Sequence, residues 1–254
     1  MGKYGFATKK SITDKVKKYY PEQYKELIKE AQGNRKGYSY SLEKIQSEFD
    51  AYFLGLLLTD GYVARNREIG IDLTDEDCIS FLSKTIGKEY KSYAPSSGNE
   101  NIEAKKERHR LIIADANLVN DIARFGVIPN KTDVLPSPVL LPEEEKFIPY
   151  IIRGIIDGDG CIFSTSYGAP AFYIISKSQE FAQWIVKVLS NNLFMKDIRV
   201  SKDKNDLFRI ETAEQSNILK LLVLCYNKPF GMSRKYKNLR KMFRDYNSDL
   251  LLEE

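Results

Sequence analysis

The sequence is poor in the side chains that most enzymes use. Its 254 residues hold one histidine, His109, and three cysteines, Cys78, Cys161 and Cys225. One imidazole cannot furnish a multi-histidine metal site, and nucleophiles activated by histidine need a partner that is missing here. The cysteines lie far apart with no C-x-x-C pair, so they read as buried thiols of an intracellular protein rather than a disulfide frame or zinc site. No apolar run approaches the roughly 18 residues of a membrane helix. The N-terminus is polar and lysine-rich, unlike a secretory leader. Met1-Gly2 lacks the Ser or Thr at position 6 that myristoylation needs, having Phe6 instead. A soluble, intracellular protein with no membrane partner is expected. Any catalysis is left to carboxylates, lysines and a hard metal ion.

What is present is charge, unevenly spread. The totals are 39 Lys+Arg against 35 Asp+Glu, a net +4. Residues 1–44 carry 11 basic and five acidic side chains, and residues 228–244 carry seven basic and no acidic ones. Tyr19, Tyr20, Tyr236 and Phe243 are interleaved with these charges. Such ends attract a phosphate backbone through counterion release. A single charge run more often marks a solvated helical face, so the charge alone tips the balance only slightly toward nucleic acid.

A repeat organises the chain. Phe49-Asp-Ala-Tyr-Phe-Leu-Gly-Leu-Leu-Leu-Thr-Asp-Gly61 and Ile148-Pro-Tyr-Ile-Ile-Arg-Gly-Ile-Ile-Asp-Gly-Asp-Gly160 align Gly55 with Gly154, Asp60 with Asp159 and Gly61 with Gly160. Each copy leads into an alternating run (residues 68–73 and 171–175) and an amphipathic stretch (76–86 and 179–189). Further alternating runs follow at 108–113, 198–201 and 207–211, then helical patterns at 118–125 and 218–226. Each half therefore reads helix–strand–strand–helix–strand–strand–helix. The seam, Pro136-Ser-Pro-Val-Leu-Leu-Pro142, fits a short stiff linker, and Glu143-Glu-Glu145 places acids where a helix N-terminus favours them.

Each repeated helix is apolar, stops at Asp-Gly and keeps an interior glycine that costs about 1 kcal/mol against alanine. An interior glycine is tolerated where another backbone must come close. Two such helices packed together would set Asp60 beside Asp159, at helix ends where carboxylates gain nothing from the dipole and repel each other. A hard divalent cation between them would relieve that strain. Asp-Gly alone is a common turn into a strand; two copies in matched context favour the metal. Residues 157–168 are no calcium loop, since Ile162 and Gly168 stand where Gly and Glu are needed.

The two segments resemble the paired motifs of the LAGLIDADG homing endonucleases. Phe53–Gly61 and Ile152–Gly160 fill its nine positions, Gly126-Val-Ile-Pro-Asn-Lys-Thr132 is similar to the element closing the first half, and Ser233-Arg-Lys-Tyr-Lys237 to the one closing the second. The resemblance spans residues 46–245. It implies an α+β fold of two pseudo-symmetric αββαββα halves, packed through paired motif helices, each with a curved antiparallel four-stranded DNA-binding sheet. The halves are then residues 45–141 and 142–246, followed by a tail (247–254), and the basic extension (1–44) lies outside the resemblance. The implied activity is metal-dependent, site-specific cleavage of double-stranded DNA by a monomer, in a bacterial or phage-infected cytoplasm or an organelle.

Carried over by position, Asp60 and Asp159 would bind Mg2+, with Mn2+ able to substitute and Ca2+ permitting binding without cleavage. The carbonyls of Thr59 and Gly158 would join them. Lys131 and Lys235 match the basic residue near the scissile phosphate. The groove-facing candidates are Arg65, Arg67, Arg199, Ser201 and Arg209, with Lys91, Arg108, Arg110, Lys202 and Lys204 nearby and Arg234 and Lys237 in the closing element. His109 is expected on a strand surface and Trp184 in the core. The halves are unequal: the sixth motif position is Leu58 in one and Asp157 in the other. The water-organising position has no clean match, leaving Thr74, Asp75, Ser176 and Lys177. The alternative with the same fold is a catalytically silent DNA- or RNA-binding protein, a maturase or regulator. Asp133 with Glu144-Glu-Lys146 only faintly imitates a restriction-type site, and the lone histidine excludes HNH chemistry.

The stretch Ser11–Gln32 reads as one or two basic helices broken near Pro21, an accessory DNA arm. Deleting residues 1–44 is expected to weaken DNA binding and flatten its salt dependence by about 0.9 per lost phosphate contact. An unchanged slope in a salt titration would sink the arm.

Overall fold

The computed structural model describes residues 21–23, 40–65, 67–94 and 107–251. The chain divides into two compact units, Met1–Tyr40 and Ser41–Glu254. The basic helices expected at 11–32 lie outside the described residues except for 21–23, which are helical.

The larger unit holds both repeats. The first runs α1 (Glu48–Thr59), β1 (Gly61–Ala64), β2 (Glu68–Leu73), α2 (Glu76–Ile86), β3 (Tyr90–Tyr93), β4 (Arg108–Ala114) and α3 (Ala116–Ala123). The second runs α4 (Ile148–Asp159), β5 (Gly160–Ser164), β6 (Pro170–Ser176), α5 (Gln179–Asn191), β7 (Arg199–Lys202), β8 (Phe208–Thr212) and α6 (Gln215–Lys220), then α7 (Ser233–Leu251). The strands form two antiparallel four-stranded sheets of matching order, β1-β2-β4-β3 and β5-β6-β8-β7. Among the described residues, no helix is long and apolar enough to cross a membrane.

Strand alternation sends one face of each sheet to the helices and the other outward. Ile69, Ile71, Leu73, Leu111 and Ile113 are buried in the first sheet, and Phe172, Ile174 and Ile210 in the second. His109 shares this inner face, against expectation. It is buried, its Nδ1 lies 2.8 Å from Ser92 Oγ and its ring meets Tyr90 edge-on, because it sits in register with Leu73. Trp184 is in the core as expected.

The seam also departs from its reading. Glu144 lies in a 3-10 helix, Pro142–Phe147, and is wholly buried. It accepts hydrogen bonds from Ile45 N (2.8 Å), Leu141 N (2.8 Å) and both Arg124 Nη atoms (2.6 and 3.0 Å), so besides meeting the N-terminus of that helix, as expected of residues 143–145, it ties the seam to the body. α7 runs on through Leu251, into the residues expected as a tail. The helical pattern at 218–226 forms α6 and then a π-helical turn, Leu221–Cys225.

α1 and α4 pack on each other more extensively than any other pair of elements described. α1 is buried from Asp50 through Leu58, as an all-round apolar helix must be. The glycines explain the approach: a Cβ on Gly55 would lie 2.8 Å from Gly154 Cα and 2.9 Å from Ile155 N, and one on Gly154 2.8 Å from Gly55 Cα. Backbone cannot yield to a methyl group as a side-chain tip can. Gly154→Ala is expected to cost about 3 kcal/mol, the upper range for overpacking, read as a lower urea midpoint; a loss under about 1 kcal/mol would contradict the contact.

Candidate active site

The helix pair ends in one place. Ser47 caps α1 through a hydrogen bond from Asp50 N, and Asp60 closes it with its N–H on Leu56 O. α4 starts with Pro149 in its first turn and ends with Gly160 N–H on Ile156 O. A Cβ on Gly158 would lie 2.8 Å from Asp60 Oδ2, so the carboxylate of one helix rests on bare backbone of the other. Asp159 is the next residue, and its charge acts on Asp60.

Neither helix has a basic residue in its last turn, and their terminal carbonyls meet lysines from distant segments. Lys131 Nζ donates to Thr59 O (2.9 Å). Lys235 Nζ donates to Ile156 O (2.6 Å), Asp157 O (2.7 Å) and Gly160 O (2.6 Å). Each lysine is only 6% exposed, a burial that an ammonium tolerates only with partners. Lys131 follows Asn130, whose left-handed backbone (φ 59°) turns the chain into a short 3-10 helix.

Burial and proximity shift all four groups. Burial, then the charge of Asp159, raises Asp60 to about 6 against the pull of Lys235, Lys131 and Arg108. Asp159 opens to solvent on one side but is crowded by protein on the others; this desolvation raises its carboxyl, opposed by Lys131 and Lys235. Burial lowers both lysines, with Asp159 and Asp60 opposing it at Lys131 and Asp157 first among the acids opposing it at Lys235. The cleft at Asp60 is lined by Asp72, Thr74, Asp75, Arg108, Gly158, Arg234 and Lys235 among others.

The expected DNA-facing residues separate into groups. Arg108 and Arg110 point outward from β4, and Lys91 pairs with Arg110 on the same face. Arg199, Ser201 and Arg209 share the outer face of the second sheet. Lys202 pairs with Phe208 on the opposite side of β7 and is bonded to Asp206 (2.9 Å). Lys204 is exposed in the β7–β8 turn, and Arg65 and Arg67 in the β1–β2 turn. Lys237 is exposed on α7, while Arg234 is ion-paired with Asp75 (3.1 Å), linking the halves. Of the water-organising candidates, Thr74 and Asp75 reach the cleft; Ser176 is bonded to Ser178 and Lys177 to Asp133.

Asp72 was missed. It accepts hydrogen bonds from Arg108 Nε (2.8 Å), Arg110 Nη2 (2.7 Å) and Tyr93 OH, at the rim of the cleft. Burial pushes its carboxyl up, but these donors outweigh that and hold it below its ordinary value. Its place on the outward phase of the run 68–73 was the available signal. On the second sheet Arg209 stacks over Tyr173 (3.7 Å) and bonds Glu211 (2.6 Å).

No protein-family model and no curated protein matches this sequence. Solved structures do. The LAGLIDADG homing endonuclease I-LtrWI bound to target DNA aligns with a TM-score of 0.51 at 11% identity, covering 79% of this chain and 91% of that one. The LAGLIDADG meganuclease I-AabMI bound to uncleaved DNA aligns at 0.50 and 11%, covering 78% and 91%. The chain has the LAGLIDADG fold. Full-length DUF199/WhiA from Thermatoga maritima aligns at 0.51 and 14%, covering 81% of this chain, which spans 64% of that one. The LAGLIDADG fold is therefore common to these endonucleases and WhiA, and at such identities the likeness speaks for architecture alone.

The raised carboxyl has a measurable consequence. The unfolded chain releases the Asp60 proton near 3.8 and the folded chain near 6, so stability falls as pH rises through that window and the cost is fully present above it. Asp60→Asn is expected to stabilise the metal-free protein by about 1–2 kcal/mol at pH 7.5 and not at pH 4. A melting curve showing equal effects at both pH values would refute the raised carboxyl.

Proposed function

We propose that this chain is a site-specific endonuclease that hydrolyses one phosphodiester in each strand of double-stranded DNA, using Mg2+. The observation carrying this reading is the pair of carboxylates at the ends of two equivalent packed helices, Asp60 and Asp159, near enough that the charge of one acts on the other, with a buried lysine bonded at each helix end.

The residues present fit a hard cation. Burial and the charge of Asp159 raise Asp60 to about 6, a cost that a cation beside the carboxylate would relieve, and no side chain stands between that carboxylate and the Gly158 backbone. Asp60, Asp159 and the carbonyls of Thr59 and Gly158 are oxygen donors of the kind Mg2+ takes, few in number because it keeps waters and phosphate oxygens in its shell. When bound, the ion supplies Lewis acidity and eases deprotonation of an attacking water. The chain's residues do the rest. Lys131 and Lys235 place positive charge behind the carboxylates, where it offsets charge building on a phosphate. Arg108, Arg110, Arg199 and Arg209 offer guanidinium edges to DNA from the outer sheet faces, and Asp72 holds two of them in fixed orientation. Arg65, Arg67 and Lys204 suit phosphates from turn positions.

A second reading, a silent DNA- or RNA-binding protein, is favoured by one observation: the Thr59 carbonyl already accepts a hydrogen bond from Lys131.

The test pairs Mg2+ with a pool of long DNA duplexes and sequencing of the cut ends. Wild type is expected to cut a defined site, Mn2+ to substitute and Ca2+ to allow binding only. Asp60→Asn and Asp159→Asn are each expected to slow cleavage at least about 100-fold. Tight binding without cutting would establish the second reading, and single variants that still cut both strands would defeat a shared site built from both aspartates.

A further inference from the structure

The two halves treat their lysines differently. An ammonium has three N–H bonds to give. Lys235 gives all three, at 2.6, 2.7 and 2.6 Å, to carbonyls at the end of α4. Lys131 makes a single hydrogen bond among the described residues, to Thr59 O. The equivalent positions therefore have different protons to spare.

The cause lies in the sequence of the two motif helices. α4 carries Arg153 and Asp157, one turn apart, where α1 carries Leu54 and Leu58. Both polar residues are buried, Arg153 wholly and Asp157 to within 1%. Asp157 accepts from Tyr52 OH (2.8 Å), Tyr226 OH (2.7 Å) and Met232 N (3.2 Å). Arg153 donates to Lys228 O (2.8 Å) and Phe230 O, with its guanidinium 3.9 Å from the Phe230 ring centroid. Gly231, at φ +70°, lets this segment lie against the Tyr52 ring. Together they clamp residues 226–232 onto α4, and the clamped segment leads directly into α7 and Lys235. Among the described residues the first half has no such clamp, and Lys131 arrives on a three-residue 3-10 turn.

We propose that the lysines divide the work: Lys131 is the amine with N–H bonds free for a water or phosphate at the cleft, and Lys235 is a strut that closes the C-terminal end of α4. The strand served by the first half is then cut with proton-donor help that the other strand lacks, and a nicked intermediate accumulates. This consequence for strand order rests on the nuclease reading; the strut does not.

The experiment compares full-length Lys131→Met and Lys235→Met, which keep the alkyl stem and remove the donors. Lys235→Met is expected to lower the melting temperature by roughly 5–10 °C, and Lys131→Met by less than half as much. On a duplex labelled separately on each strand, with Mg2+, Lys131→Met is expected to change the ratio of the two strand-cutting rates by about 100-fold. Lys235→Met is expected to slow both strands together and leave the ratio alone, because Asp60 rests on Gly158 of the same helix end. Equal melting losses, or opposite and equal changes in the strand ratio, would overturn the division. A Lys235→Met protein that does not fold supports the strut, and a Lys131→Met protein that does not fold overturns it. If wild type cuts no DNA, the nuclease reading fails alone and the melting comparison still decides the strut.

Discussion

α1 and α4 meet backbone to backbone at Gly55 and Gly154, and the rest of the site hangs on how close that contact is. A methyl group at either position would force the helices apart, and the separation would propagate to their C-terminal ends. There Asp60 leans on Gly158, a contact that also tolerates no side chain. The interior glycines weaken each helix taken alone, a cost offset by burying the largely apolar faces of two helices against each other.

Closeness creates an electrostatic problem that the fold only partly relieves. Two carboxylates at the carbonyl ends of two helices face each other where the dipoles offer no help. The lysines that come in from outside the helices bond first to carbonyl oxygens, not to the carboxylates. Burial first, and the charge of Asp159 second, outweigh the pull of those lysines, and Asp60 holds its proton to about pH 6. The same cleft is bounded by Asp72, whose charge is fully engaged by Arg108, Arg110 and Tyr93.

Pseudo-symmetry holds for the backbone and breaks in the core. Both sheets have the same strand order, yet one motif helix carries an apolar Leu54 and Leu58 where the other carries Arg153 and Asp157. A buried charged pair of this kind is costly unless each member is hydrogen-bonded, and here carbonyls, two tyrosine hydroxyls and a backbone N–H do so. The pair confers position on the segment before α7 rather than simple apolar stability.

The 99-residue repeat, the strand alternation and the Asp-Gly helix ends are legible in the sequence, because local periodicity and glycine placement follow from backbone geometry along the chain. They determined the two halves, the order of elements and the pairing of Asp60 with Asp159. What the chain alone left open depended on neighbours distant in sequence. His109 turned inward because its register with Leu73 placed it there. Glu144 became a buried hub through Ile45 and Arg124, and Asp72 gathered its partners from two other strands. Lys131 and Lys235 looked equivalent by motif, and only the tertiary structure separated them. Donor counts depend on which carbonyls come within about 3 Å, and no spacing along one strand or helix reports that.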